Sequence, residues 1–315
     1  MLDVRRLRLL RELAHRETIA AVADALGYTP SAVSQQLAAL EREAGVPLLE
    51  RTGRRVVLTT AAYALVEYAE EILALLEQAS AMLAATRGEV VGPLRIGAFP
   101  TAVCTILPNA LIALGREHPA LELTVIELDP AAAPNALRGE RVDVALVHDY
   151  DYVPAELDPS LEREPLLQET IYLASKPKSR SKSGLRDPAD ATVASCREAQ
   201  WIVGSPDTLC YEMAIRTCQA AGFTPRIRHH ADDFATVLAL VAADQGVALV
   251  PRLGALDPPA GVVLTPLATH RRTAVAFRRG RRHDPAVDAF SAAIRASAAQ
   301  WSSSADLLNQ PLAVA

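Results

Sequence analysis

Residues 18–43 read TIAAVADALGYTPSAVSQQLAALERE, the pattern of two short helices joined by a tight turn. Thr18 is a natural N-cap, because its hydroxyl can accept a backbone N–H that the first helical turn leaves over. Gly27-Tyr28 ends that helix, since glycine tolerates the left-handed backbone of a helix terminus. Thr29 caps the second helix, and Pro30 takes its first position, where a missing N–H costs nothing. Val33, Leu37 and Leu40 stand at i, i+4 and i+7 and share one buried face. Ser31 and Gln35 point the opposite way, with Ser34 and Gln36 on the flanks. Hydroxyl and amide groups on a short helix suit a DNA major groove, where they hydrogen-bond base edges and phosphates.

On either side of this pair the chain supplies what such a head needs. Residues 4–14 form an amphipathic helix with Val4, Leu7, Leu10 and Leu13 on one stripe, to pack behind the other two. Residues 50–59, ERTGRRVVLT, read as a β-hairpin with an arginine-rich tip. Directly after a helix-turn-helix, Arg51, Arg54 and Arg55 form a wing for phosphates or the minor groove. Residues 60–86 contain no Gly or Pro and predict a helix of roughly 40 Å. Leu65, Ile72, Leu76, Ala79 and Leu83 approximate a heptad seam beside Tyr68 and Leu75, which calls for a partner, simplest a second copy of the chain.

Past Gly92-Pro93 the pattern alternates strands and helices. Strands are expected at 94–98, 121–128, 142–147, 166–174, 201–203, 226–230, 247–250, 262–266 and 273–277. Helices are expected at 102–117, 131–138, 208–221, 234–244 and 285–300. Residues 176–184, KPKSRSKSG, read as a basic mobile loop, and 302–315 as a flexible tail.

The totals agree with a modular chain. It has 315 residues, enough for two or three cores, and a net charge of −5, which argues against a wholly basic coat protein. Residues 1–60 carry nine Arg against seven carboxylates, whereas 61–90 carry one Arg against five Glu, so positive charge gathers at the head. No apolar run is long enough for a membrane span, and the N-terminus lacks the apolar core of a secretory signal, so the expected place is the cytoplasm, away from membranes. Cys104, Cys196, Cys210 and Cys218 show no metal spacing and are expected as free thiols; no metal and no cofactor is expected. There is no GxSxG, P-loop, HExxH or GxGxxG element, so catalysis is not expected.

These parts resemble a LysR-type transcriptional regulator. The residues carrying the resemblance are Leu26, Thr29, Ser31 to Ser34, Gln36-Leu37, Leu40-Glu41, Gly45-Val46, Leu48, Arg51, Arg55 and Val57 to Thr59. The family often has Gly where Glu17 stands, Phe at Ile19 and Leu49, and Gly at Ala62. It frequently has Arg where Gln35 stands and a second basic residue at Ala38, so this chain relies more on hydrogen bonds and on its wing. The resemblance implies an α+β multidomain fold: an N-terminal winged helix-turn-helix at 1–59, a linker and dimerisation helix at 60–90, and a C-terminal two-lobed α/β, periplasmic-binding-protein-like (type 2) effector domain. Lobe I would comprise 91–162 and 267–301, and lobe II 163–266.

The function so implied is DNA binding by a homodimer or homotetramer (a dimer of dimers), controlled by a small-molecule effector. Gln35, with Ser31 and Gln36, would read bases of double-stranded DNA, while Thr29 and Ser34 hold phosphates. For the effector, Thr101 begins the helix after the first sensor strand, where unpaired N–H groups favour an anion. Phe99 and Pro100 shape the approach, and His148 follows a strand at the cleft mouth. Ser205, Asp232 and Phe234 stand at strand and helix ends across the cleft. A redox alternative rests on Cys210 and Cys218, eight residues and roughly 12 Å apart on one helix, too far to bridge without local unfolding. An alternative of another class, a free-standing solute-binding protein, fits the two lobes but not the winged head.

Overall fold

The computed structural model of the chain describes residues 1–52, 55–176 and 192–308. The head contains α1 (Val4–Arg16), α2 (Ile19–Leu26), α3 (Pro30–Ala44), β1 (Leu49–Thr52) and β2 (Arg55–Leu58). Thr18 and Thr29 cap as expected, each hydroxyl accepting an N–H at 3.2 Å, from Ala21 and Ala32. Gly27 ends α2 at φ +70°. Glu17 ends α1 at φ +62°, a conformation that favours glycine. Leu7, Leu10, Leu13, Val22, Val33, Leu37, Leu40 and Leu48 form the head's core. Val4 departs from its stripe and is exposed.

The linker helix α4 (Thr60–Ala85) is capped by Thr59. Its inner face is small, with Ala62, Ala69, Ala74 and Ala81 buried, which lets the helix lie close to its neighbours. Its outer face leaves Tyr68, Leu75, Leu76, Met82 and Leu83 exposed.

The sensor is built on a six-stranded sheet of order β4-β3-β5-β10-β6-β9. Its strands are β3 (Gly92–Ala98), β4 (Leu121–Glu127), β5 (Val144–Tyr150), β6 (Leu161–Ser175), β9 (Ala248–Pro251) and β10 (Val263–Arg278). The strands β3, β4 and β5 are mutually parallel, with crossover helices covering the sheet, whereas β10 runs antiparallel to β5 and β6. A small parallel pair, β7 (Gln200–Val203) and β8 (Arg226–His230), joins this frame through a Trp201–Val247 bridge. The helices are α5 (Pro100–Cys104), α6 (Leu107–Glu117), α7 (Ala133–Arg138), α8 (Leu209–Ala220), α9 (Phe234–Ala242) and α10 (Pro285–Leu308).

Three expectations need correction. The single helix at 102–117 is broken at Thr105 into α5 and α6, because Pro108 has no N–H for the Cys104 carbonyl and its ring would clash with it, while proline fits the first turn of the new helix. The two strands at 262–266 and 273–277 are one strand, β10; a register shift against β6 between Pro266 and His270 absorbs the proline. The closing helix runs past 300 to Leu308, so the expected tail at 302–315 begins in helix. Residues 309–315 and nearly all of the basic stretch 176–184 lie outside the described residues.

Both β6 and β10 pass from one lobe into the other without a break. Their Leu161–Leu167 and Arg271–Arg278 halves pair beside β5, and their other halves pair toward β9.

The head and linker are braced against lobe I. Glu12 of α1 is fully buried and meets Arg11 and Arg16, each at 2.8 Å, and Arg138 of α7 at 4.0 Å. Burial by itself would raise the Glu12 carboxyl; the arginines outweigh it and hold it below the usual carboxylate range. Arg8 pairs with Glu140 at 2.8 Å, and Arg16 donates to the Asn135 carbonyl at 3.2 Å. On the linker, Glu77 accepts from Arg278 at 2.6 Å. Gly280, at φ +95°, lets α4 approach closely: a Cβ there would lie 2.3 Å from the Ala74 carbonyl oxygen.

Candidate functional site

The two ends of the chain present different chemistry. On the head, Val33, Leu37 and Leu40 are buried, so helical geometry turns Ser31, Ser34, Gln35 and Gln36 to solvent. They are not equally free. Thr29 spends its hydroxyl on capping and lies 3.1 Å from the Ser31 hydroxyl. Gln36 accepts from Arg6 Nε at 2.9 Å, which ties it back to α1. Arg6 also pairs with Glu43, clamping α1 to the middle and the C-terminal end of α3. Ser34 and Gln35 are both exposed, and neither side chain is hydrogen-bonded to another of the described residues. The wing is held to α3 because Glu41 accepts from the N–H groups of Leu48 and Leu49 at 2.9 and 3.0 Å. Its strands pair Thr52 with Arg55. Arg54 lies outside the described residues, as do the side chains of Arg51 and Arg55.

In the sensor, a cavity of about 460 Å³ opens between the lobes. Phe99, Pro100, Thr101, His148, Asp232 and Phe234 all line it. Ser205 does not. Its N–H and hydroxyl both donate to Asp232, each at 2.7 Å, so it positions that carboxylate instead. His148 sits in the wall rather than at the mouth, 3% exposed. Its ring packs edge-on against Phe99 and Tyr150. Burial and the charge of Arg271 keep it neutral, its pKa well below the ordinary 6.5.

Sequence reasoning missed the central cation. Arg271 on β10 is fully buried, donates to Glu169 at 2.7 Å and to the Thr101 hydroxyl at 3.1 Å, and lies 4.9 Å from the Phe99 ring centre. Glu169 also accepts from the Leu253 N–H at 2.6 Å, so the buried pair is hydrogen-bonded on both sides. In the sequence the run His-Arg-Arg at 270–272 looks like a solvated turn. The signal that finds Arg271 is strand alternation: 271, 273, 275 and 277 share the buried face of β10. Asp129, from the turn after β4, and Thr208, the cap of α8, line the same cavity and were also missed.

Both candidate redox cysteines lie on α8. Burial raises the thiol pKa of each, that of Cys218 to about 12, which disfavours the reactive thiolate. Cys210 lies 3.3 Å from the Tyr150 hydroxyl and borders the cleft. No helix among the described residues is long and apolar enough to cross a membrane.

Comparison with known proteins matches both ends of this arrangement. Residues 4–63 match the bacterial regulatory helix-turn-helix protein, lysR family, and residues 87–299 match the LysR substrate binding domain. A probable hydrogen peroxide-inducible genes activator of Streptomyces viridosporus is 30% identical over 312 residues, covering 93% of this chain and 96% of that protein. The transcriptional dual regulator GltC of Bacillus subtilis is 28% identical over 254 residues, covering 79% and 81%. Among solved structures, a mutant OxyR of Corynebacterium glutamicum aligns with TM-score 0.59 at 22% identity, covering 99% of this chain and 97% of that one. Full-length CbnR complexed with its target DNA aligns with TM-score 0.50 at 26% identity, covering 94% and 100%. With its winged head, linker helix and two-lobed sensor all in order, the chain belongs to the LysR-type transcriptional regulator family.

Proposed function

We propose that Gln35 is the principal base-reading residue, that Ser31 and Gln36 support it, that Ser34 holds a phosphate, and that the cavity at Thr101, His148 and Arg271 is the effector site. DNA and small-molecule effectors are partners of this family, and its members form oligomers. In this chain two copies pair through the exposed Tyr68, Leu75, Leu76 and Leu83 stripe of α4, and two such dimers make a tetramer. Paired heads set their α3 helices in successive major grooves about 34 Å apart. The effector changes DNA binding by favouring one closure of the lobes over another, which requires different affinity for the two.

The observation that carries this reading is the division of polar groups. The exposed front of α3 offers neutral donors and acceptors on a well-packed back, while the cleft gathers a buried cation, a neutral histidine and a hydroxyl. Selection of tight-binding sequences from a random DNA pool tests it. A partly palindromic site with half-sites one helical turn apart is expected; a pool with no enriched sequence overturns it.

The names of the peroxide-inducible relatives favour a second reading, redox control through Cys210 and Cys218. The raised thiol pKa values oppose it. A free-thiol count unchanged after peroxide treatment ends it.

A further inference from the structure

The charges around the cleft do not suit a simple anion. Among the described residues, its wall holds one cation, Arg271, and four carboxylates: Glu127, Asp129, Asp232 and Asp233. The charge of Arg271 is already opposed by Glu169. Arg271 therefore offers directed hydrogen bonds more than a positive field. Asp233 is committed to capping α9, where it accepts from the N–H of Thr236 at 3.0 Å. Asp129 and Asp232 line the cleft from opposite lobes, each also accepting a local hydrogen bond, from Ala131 and from Ser205. Burial, and beyond it the charge of Asp232, raise the pKa of Asp129 against the opposing Ala131 N–H bond. Two like charges held across a cleft are relieved by a cation between them, and that cation draws the lobes together.

A second and independent observation concerns His148 and Thr101 in the same cleft. The Nδ1 atom of His148 is buried without a hydrogen-bond partner. An unpaired buried ring nitrogen is costly, and a ligand can satisfy it. The Thr101 oxygen accepts from Arg271, which leaves its own O–H proton to donate. The same cleft thus holds donors around Arg271 and carboxylates contributed by both lobes.

We propose that the effector is a small zwitterion, an amino acid, with its carboxylate at Thr101, His148 and Arg271 and its ammonium between Asp129 and Asp232. This rests on the cleft being the effector site and specifies what enters it. The anionic effector expected from Thr101 describes half of that ligand.

The test is calorimetry and thermal shift on the full chain with matched probes: the standard amino acids, the same molecules lacking the amino group, and the same molecules lacking the carboxylate. At least one amino acid is expected to bind and stabilise, at least about tenfold more tightly than either truncated partner. Asp129→Asn is expected to remove that preference, and Asp129→Glu, which keeps the charge, to retain part of it. If a deaminated acid binds as tightly as its amino acid, in a manner lost in Thr101→Val, the effector cleft stands and the zwitterion falls. If no amino acid binds at millimolar concentration, the inference is also overturned. The DNA-site selection above reports on the regulator reading in either case.

Discussion

Arg278, at the end of β10, donates to Glu77 in the middle of the linker helix at 2.6 Å, and the same guanidinium donates to the Leu137 carbonyl of lobe I at 3.0 Å. This contact fixes the linker against the sensor. Glu77→Ala is expected to lower the melting temperature by about 2–4 °C, the equivalent of roughly 1 kcal/mol. It should also relax the preference for one half-site spacing, measured on DNA duplexes in which the spacing is varied. An unchanged spacing preference would show that α4 is held by other means.

The Arg271–Glu169 pair sets a different expectation. Arg271→Met leaves a carboxylate buried and unpaired, which costs about 3–5 kcal/mol. Adding Glu169→Leu should restore most of that loss in urea melts while ligand binding stays absent. If the double variant is as unstable as the single, the pair is not the source of the cost.

Gln35 and Gln36 stand side by side, yet only Gln36 is tethered to Arg6. Gln35→Ala is expected to cost about 1–3 kcal/mol on the selected site and little on unrelated DNA. Gln36→Ala should cost less in specificity and more in head stability. Equal losses on both DNAs for Gln35→Ala would remove it as a base reader.

Glu12 makes the seam between head and sensor pH-dependent. Its folded pKa lies below the ordinary value of 4.5, so on acidification the unfolded chain takes up its proton first. The stabilisation is complete above that ordinary value and is lost as pH falls through the lower folded value. Urea melts at about pH 6 and about pH 4 should show a larger loss for the native chain than for Glu12→Gln. Equal losses would place the acid sensitivity elsewhere.

Glu17 holds φ +62°, a left-handed backbone that glycine adopts without strain. Glu17→Gly should stabilise the head by about 1 kcal/mol, since the left-handed backbone costs a side chain that much. A lower melting temperature for Glu17→Gly would mean that its side chain makes up the difference.

What could be read from the sequence was local. Thr18, Thr29 and Gly27 mark helix ends by chemistry that acts within three or four residues, and Val33, Leu37 and Leu40 mark a face by spacing alone. Thr101, His148 and Phe234 were found because strand ends and helix starts point into such clefts. Arg271 was hidden by its charged neighbours, and its partner Glu169 lies 102 residues away. The docking of α1 on α7 through Glu12 and Arg138 has no local signature, because each looks like an ordinary surface charge until the fold brings them together. Ser205 was misplaced for the converse reason: its turn was legible, but its commitment to Asp232 was not.

The bracing of head, linker and lobe I has a mechanical consequence. Glu12, Arg8 and Glu77 tie these three parts together, so that on the proposed effector reading lobe II is the part left to move when the cleft fills. On that reading the bracing keeps the ligand from tilting the reading helix of its own protomer. The message leaves as an altered outer contour, felt by whichever neighbour touches lobe II, and the response to the small molecule belongs to the assembly and is silent in any subunit on its own.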